Sequence, residues 1–169
     1  MRDIYVVGDA NVDIIVPYPR FLNEERTLVD YPNPELVGGG TSANTAVALA
    51  KLGLPVSFLG TIGDDQYGKY IQKDFKEQGV NTADLIVDPK LNTVGVFAFI
   101  DENGERYLWG WPRVDQAFKV LERDKVPFEK IEAADWVHSS GMSLVYDTSA
   151  RTEIIEIFKK AYEAGVPTS

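Results

Sequence analysis

Cysteine is missing from this sequence of 169 residues, and histidine occurs only once. Without cysteine the chain has no disulfide framework, no thiolate metal site and no cysteine nucleophile, which fits a reducing cytoplasm. Long apolar runs are missing too, since none approaches the roughly 18 to 20 residues that cross a membrane. The N-terminal segment MRDIYVVGD has too short an apolar run for a signal peptide and indicates a strand. We therefore expect a cytoplasmic protein outside the membrane.

Positive charge is also scarce, because 17 basic residues against 26 acidic ones give a net charge of −9. An acidic surface without basic clusters argues against general nucleic-acid binding, which needs Lys and Arg partners for the phosphates. The hydrophobic fraction of 44% and the charged fraction of 25% are typical of a soluble globular protein. The length is sufficient for one domain with a substantial core.

A glycine-rich loop and the helix after it form the most informative segment, VGGGTSANTAVALAKL at residues 37–52. The consecutive glycines allow positive φ and the close approach of a ligand. Thr41, Ser42 and Asn44 suit the capping of a helix start. The helix would then offer free N–H groups and the positive end of its dipole to a polar ligand. The alternative interpretation is a tight loop with an ordinary cap.

Polar residues also follow the first predicted strand, Ile4 to Val7. The carboxyl ends of strands in open α/β sheets are where ligands bind. Asn11 and Asp13 are two positions apart, so their side chains point the same way in an extended segment. A carboxylate accepts hydrogen bonds and an amide both donates and accepts, which suits sugar hydroxyls. A polar turn with Asx caps is the alternative.

Alternating strand and helix patterns predict a doubly wound α/β fold with a mainly parallel sheet. Asp64 and Asp65 are expected to cap a helix rather than to hold a metal ion. The chain looks incomplete, because the last helix leads to Thr168 and Ser169, where another strand should begin. The predicted helices are Ser42–Leu52, Gln66–Gln78 and Thr148–Ala164.

Two β excursions interrupt this α/β order. The first, Ile14–Val37, contains several prolines and predicts short edge strands such as Thr27–Tyr31. The second, Thr93–Trp111, is a hairpin whose aromatic surface includes Phe97 and Trp109. Aromatic residues on strands usually pack across the sheet, but on an excursion they could cover a ligand or a second subunit. We expect both excursions to form one small sheet.

Three motifs together resemble the N-terminal half of the ribokinase-like sugar kinases, the PfkB carbohydrate kinase family. Gly8–Asp13 (GDANVD) resembles the family's opening strand and substrate turn. Gly39–Ala46 (GGTSANTA) resembles its first signature, and Phe58–Gly68 (FLGTIGDDQYG) resembles its next segment and is the most specific match. The resemblance extends over essentially the whole chain.

This resemblance implies transfer of the ATP γ-phosphate to a sugar hydroxyl, with Mg²⁺ and a base. It implies that segments 14–37 and 93–111 form a lid over the sugar, which often mediates dimerisation, so we expect a homodimer. The family carries its base aspartate and a Gly-Ala-Gly-Asp motif in its C-terminal half, and neither is found here. We therefore assign no catalytic and no metal-binding residue. The residues assigned to the sugar are Asn11, Asp13, Gly39, Gly40, Asn44 and, on the lid, Phe97 and Trp109.

Other functions remain as alternatives. A dinucleotide-dependent oxidoreductase needs G-x-G-x-x-G between the first strand and helix, but Gly8 has no companion glycines there. A non-catalytic sugar-binding or dimerisation module would suit a chain of this length, and a nucleoside kinase of the same family would use a similar site.

Overall fold

The computed structural model describes residues 3–17, 33–111 and 114–169 of the chain. The strands in these ranges are β1 (Ile4–Val7), β2 (Asn11–Pro17), β3 (Glu35–Gly39), β4 (Val56–Leu59), β5 (Thr61–Gly63), β6 (Ile86–Asp88), β7 (Gly95–Ile100), β8 (Arg106–Trp111) and β9 (Trp136–Ser139). The helices are α1 (Thr41–Lys51), α2 (Gln66–Glu77), α3 (Phe128–Glu132) and α4 (Ser149–Glu163). Short 3-10 turns are formed by Ala117–Lys119, Arg123–Lys125 and Gly141–Leu144.

The central sheet consists of β4, β1 and β9 in that order within the described ranges, and all its pairs are parallel. Successive side chains of β1 alternate between the two faces. Val6 packs in one apolar cluster with Phe75 of α2, while Tyr5 and Val7 pack in another with Ile157 of α4. Helices therefore cover both faces of the sheet, which confirms the predicted doubly wound α/β fold.

The end of the chain runs beside β9. The Val137 amide donates to the Pro167 carbonyl at 2.9 Å, and the Ser169 amide donates to the Val137 carbonyl at 3.0 Å. Val137 and Thr168 form a parallel bridge. Residues 167–169 therefore run parallel to β9 with one bridge, at the place where the sequence predicts that a strand begins. The ring of His138 packs here, with Nδ1 at 2.9 Å from the Ser169 hydroxyl.

A second, outer sheet contains β3, β2, β7 and β8 in that order among the described residues. β2 is antiparallel to β3 and parallel to β7, and β7 and β8 form the predicted hairpin. The hairpin therefore lies outside the central sheet and pairs with the early excursion, as the sequence predicts. The predicted strand Thr27–Tyr31 lies outside the described residues. One face of the outer sheet packs on α2, where Val12 joins the cluster of Ile71 and Phe75.

The sequence of residues 56–63 (VSFLGTIG) predicts one continuous strand, but the structure forms two strands there, β4 and β5. β4 pairs with β1, whereas β5 pairs with β6. The chain changes partner at Gly60, where a Cβ atom would lie 2.8 Å from the Phe58 ring. The long apolar run concealed this change, because both halves are buried and look alike in sequence.

Local sequence signals, in contrast, predict where the helices begin and end. α1, α2 and α4 are each followed by a glycine at positive φ, with values of 81° at Gly53, 85° at Gly79 and 76° at Gly165. Asp65 caps α2 by accepting two first-turn amides, and the Thr148 hydroxyl caps α4. No helix in the described ranges combines the length and the apolar character needed to cross a bilayer.

Candidate functional site

A cavity of about 480 Å³ lies at the carboxyl end of β1, between the central sheet and the outer sheet. In open α/β sheets the carboxyl ends of strands are the usual ligand-binding edge, because loops diverge there and leave a crevice. The polar lining residues are Asp9, Asn11, Asp13, Gly40, Thr41, Asn44, Arg106 and Gln116, and the apolar ones are Ala10, Ile15, Val94, Val96, Ala98, Ile100, Leu108, Phe118, Met142 and Tyr146.

Asn11 and Asp13 stand side by side in the lining of the cavity. Both belong to β2, whose period of two directs them to the same face. The Asn11 amide donates to Asp13 Oδ1 at 2.8 Å, which leaves the second carboxylate oxygen for another donor. Burial raises the pKa of the Asp13 carboxyl, opposed by this hydrogen bond and by the charge of Arg106. The pair therefore presents a partly desolvated hydrogen-bond acceptor to the cavity.

Gly39 and Gly40 allow the chain to pass close to this pair. A Cβ at Gly39 would lie 2.7 Å from Asp13 Oδ2 and 2.8 Å from the Asn11 amide nitrogen. Gly40 has φ of 103°, and a Cβ there would lie 2.7 Å from the Asp9 carbonyl oxygen. Any side chain would therefore displace the carboxylate or strain the turn. Gly40 lines the cavity, whereas Gly39 is buried behind Asn11 and Asp13.

Asp9, which the sequence analysis did not select, holds the start of α1. Its carboxylate accepts from the Thr41 amide at 2.7 Å and from the Ser42 amide at 3.1 Å. The Ser140 hydroxyl donates to it at 2.9 Å, and the Ser143 hydroxyl lies 3.4 Å away. Asp9 is only 6% exposed and joins β1, α1 and the segment after β9. A carboxylate at a helix N-terminus also complements the helix dipole.

This arrangement corrects two expectations for α1. Gly40 is the N-cap and no side chain of the loop caps the helix, because Asp9 supplies the acceptors instead. The next two amides are also engaged, since Ala43 donates to the Asp9 carbonyl and Asn44 donates to the Gly40 carbonyl. The first-turn N–H groups are therefore used within the protein and are not free for a ligand. Asn44, one turn along, reaches the cavity through its exposed side chain.

Apolar side chains form the floor and the far wall of the cavity. Val96, Ala98 and Leu108 line the floor from β7 and β8, and Met142 and Tyr146 line the wall after β9. The Tyr146 ring makes an edge contact with Phe118, at 6.2 Å between centroids. These wall residues come from loops and a 3-10 turn, which carry no periodic signal in the sequence.

Phe97 and Trp109, which were assigned to the sugar, lie on the other face of the outer sheet. Their neighbours Val96, Ala98 and Leu108 line the cavity, so the alternation of the strands turns the two aromatic residues away. They form a cross-strand pair with ring centroids 5.7 Å apart. The same aromatic row continues through Trp111, which contacts Tyr67 of α2. The structure therefore does not bring these two residues to the cavity with Asn11, Asp13, Gly40 and Asn44.

Apart from the carboxylates of Asp9 and Asp13, few charged groups line the cavity. Arg106 is the one Lys or Arg side chain in the cavity lining of the described chain. Within the same ranges no group of three His, Cys, Asp or Glu side chains could hold a metal ion. Asp64 lies 3.3 Å from the Lys69 ammonium while Asp65 caps α2, so their side chains are engaged in structural contacts.

Comparison with known sequences gives one consistent family. The profile of the pfkB family carbohydrate kinase matches residues 1–167. A fructokinase from Vibrio alginolyticus is 35% identical over 167 residues, which are 98% of this chain and 48% of that protein. An aminoimidazole riboside kinase from Salmonella typhimurium is 28% identical over 165 residues, 98% of this chain and 47% of that protein.

Solved structures of sugar kinases have a similar fold. The crystal structure of fructokinase from Xylella fastidiosa matches with a TM-score of 0.83 and 25% identity over 99% of this chain and 51% of that chain. A second structure of that enzyme, with bound ATP, matches with a TM-score of 0.83 and 23% identity, over the same shares of both chains. The chain therefore spans about half the length of the relatives it matches.

Proposed function

The chain belongs to the pfkB family of carbohydrate kinases, since the family profile covers residues 1–167, and we propose that it forms the sugar-binding part of an ATP-dependent sugar kinase. The proposed sugar site is the cavity between the two sheets. In the proposed arrangement, residues 1–169 are the N-terminal part of one domain, and segments 14–37 and 93–111 form its lid.

The observation that carries the proposal is the Asn11–Asp13 pair in a cavity whose floor and far wall are formed by apolar side chains. The free oxygen of Asp13 accepts a hydrogen bond from a sugar hydroxyl, and the Asn11 carbonyl oxygen can accept another. The side-chain amide of Asn44, which belongs to α1, can both donate a hydrogen bond to the sugar and accept one from it. The apolar floor suits the C–H face of a sugar, which is a common combination in small-molecule sites.

The reaction proposed for the whole enzyme is phosphorylation of a sugar hydroxyl. ATP supplies the γ-phosphoryl group, and Mg²⁺ neutralises its charge when both are bound. The role of the present residues is to bind and orient the hydroxyl and to exclude water from the cavity. We assign neither ATP nor Mg²⁺ to residues of this chain, and in its described ranges no group of three His, Cys, Asp or Glu side chains could hold a metal ion. The base is also proposed to lie outside these residues.

Calorimetric titration tests the sugar site directly. D-fructose, D-ribose and other sugars would be titrated into the wild-type chain and into Asp13→Ala. Loss of one charged hydrogen-bond partner is expected to weaken binding about 10- to 100-fold. Asp124→Ala removes a carboxylate outside the cavity and serves as the matched control, with unchanged affinity. Equal affinity of Asp13→Ala and wild type would refute the assignment.

An activity assay tests the division of the chemistry. We propose that the 169-residue chain alone does not phosphorylate sugars, which is supported by the lack of a Gly-Ala-Gly-Asp-like segment in the sequence. ADP release would be compared between this chain and a version extended by roughly 140 residues, as domain sizes suggest. Loss of a base alone typically lowers rates about 10²- to 10⁴-fold. Comparable turnover by both would place the base within residues 1–169.

Two alternatives are separated by the same experiments. A nucleoside substrate is supported by the aromatic pair of Phe118 and Tyr146 at the cavity wall and by the aminoimidazole riboside kinase relative. Nucleosides in the titration panel would then bind more tightly than free sugars. A non-catalytic sugar-binding or dimerisation module would bind sugar but release no ADP even in the extended version.

A homodimer and a cytoplasmic location complete the proposal. Tyr107, Leu108 and Trp109 of β8 are 69%, 61% and 56% exposed, and a second copy could cover this edge of the outer sheet. Sedimentation showing only monomer would refute the dimer. The use of ATP supports the cytoplasm, which cell fractionation would test.

A further inference from the structure

Arg106 lies where its guanidinium group can interact with a charged group of a ligand in the cavity. It lies on β8 and pairs across the hairpin with Ile100, at the end of the cavity away from Gly39 and Asn11. Alternation along β8 directs Arg106 and Leu108 to the cavity side, and both line it. The hydroxyl-binding groups and this guanidinium therefore lie at different ends of one cavity.

No carboxylate of the described chain neutralises Arg106 by contact. None lies within the 4.0 Å that defines a salt bridge, although other Lys and Arg residues in these ranges form such pairs. The charge of Arg106 acts on Asp13 only at longer range, where it opposes the effect of burial on the pKa. In a chain with a net charge of −9, a guanidinium beside a cavity that forms no ion pair with a described carboxylate is available to a ligand anion.

A second cation lies behind the opposite wall. The Lys119 ammonium is 4.1 Å from the ring centroid of Tyr146, which lines the cavity, and 5.7 Å from that of Phe118. A cation over an aromatic face is held in place by the ring. Lys119 therefore adds a second positive charge beside a residue that lines the cavity.

Resting on the proposed sugar site, we propose that this cavity selects a sugar carrying an anionic group, a carboxylate or a phosphate, and that Arg106 is the residue that determines this specificity. The hydroxyls at the other end of the sugar meet Asp13, Asn11 and Asn44. The guanidinium fork can bind either anion through two parallel hydrogen bonds, which a neutral sugar cannot satisfy.

Calorimetric titration of the 169-residue chain with three sets of probes tests this specificity. The neutral set is D-fructose and D-ribose, the carboxylate set is D-gluconate and 2-dehydro-3-deoxy-D-gluconate, and the phosphate set is D-fructose 6-phosphate. One anionic set is expected to bind at least 10-fold more tightly than the neutral set, and its identity decides between carboxylate and phosphate. Its affinity should fall as salt is raised, whereas neutral binding should not change.

The variant Arg106→Gln should lose about 10- to 100-fold in affinity for the anionic probe and less than about 3-fold for the neutral probes. Arg106→Lys should restore part of the loss, because the charge returns without the fork. Arg151→Gln on α4 removes an arginine outside the cavity and should change neither affinity. The inference would be overturned if neutral sugars bound more tightly than the anionic probes, or if Arg106→Gln lost equal affinity for both kinds of probe. Either result would leave the proposed sugar site intact. Failure of every probe to bind would instead refute the proposed function.

Discussion

The central sheet and the outer sheet differ in what their side chains contact. On β4 of the central sheet Phe58 and Leu59 have no exposed surface, whereas Tyr107 and Trp109 on β8 of the outer sheet are 69% and 56% exposed. Buried apolar surface stabilises the fold, while exposed surface is available to ligands and partners. We infer that stability resides mainly in the central sheet and recognition mainly in the outer sheet, with the cavity at their junction.

The two carboxylates nearest the junction show the same division. Asp9 follows the central strand β1, is buried, and accepts hydrogen bonds from α1 and from the segment after β9. Asp13, four positions later on the outer sheet, has one side-chain donor, Asn11, and faces the cavity. One carboxylate is thus committed to holding the fold together, and the other retains an oxygen for a ligand.

The largest expected effect is on the central sheet. Phe58→Ala should lower the free energy of unfolding by about 3–5 kcal/mol, because it removes a fully buried ring and leaves a cavity. The ring packs against Phe75 of α2 at 4.8 Å between centroids, so α2 should also loosen. Chemical denaturation measures the change. A loss below about 1 kcal/mol would show that the central sheet does not dominate stability.

Asp9→Ala should have the next largest effect, lowering the free energy of unfolding by about 2–3 kcal/mol, because buried amides and hydroxyls lose their acceptor. Denaturation of the variant would be compared with that of Asp64→Ala, which removes an exposed, ion-paired carboxylate and should cost little. If both variants lose the same stability, the buried network around Asp9 contributes nothing beyond a surface charge.

A smaller effect is expected from the protonation of Asp13. Burial raises the pKa of this carboxyl above its ordinary value of 3.8, so the folded state binds more protons than the unfolded state between the two values. Stability from this group is therefore present at low pH and is lost as pH rises through that window. Asp13→Asn cannot lose a proton, so the variant should gain stability relative to wild type as the pH rises above the ordinary carboxyl value of 3.8. Denaturation at several pH values measures the difference, and a variant that becomes relatively less stable as pH rises would contradict it.

The smallest effect is expected on the exposed face of the outer sheet. Tyr107→Ala should change the free energy of unfolding by no more than about 0.5 kcal/mol, since its side chain is largely in solvent. If the proposed dimer forms through this edge, the same variant should weaken self-association in sedimentation experiments. A stability loss as large as that of Phe58→Ala would remove the distinction between the sheets.

Local chemistry makes part of this structure predictable from the sequence. Glycines end α1, α2 and α4, Asp65 and Thr148 cap α2 and α4, and the turn after Asp101 joins the hairpin. The Asn11–Asp13 contact is also predictable, because it needs only the period of two within one strand. Signals of this kind act over a few residues and survive in any tertiary context.

Long-range contacts are what the sequence could not reveal. Asp9 contacts residues of α1 that are more than 30 positions away in the sequence, and Ser140 lies another 98 positions beyond Ser42. No local pattern could therefore identify Asp9 as the residue that caps α1. Phe97 and Trp109 turn away from the cavity because of the strand register, and composition alone does not specify the register. Arg106 gains its importance only when β8 folds over the cavity.

The most direct test of the account is a sugar titration followed by amide and indole NMR signals of the chain. A sugar in the cavity should shift the signals of Asn11, Gly40, Asn44 and Ala98, which lie on or beside the lining. The indole signal of Trp109, whose side chain lies on the opposite face, should stay in place. Shifts concentrated at the Trp109 indole, with Asn11 and Asn44 unchanged, would contradict the account and place the sugar on the aromatic face.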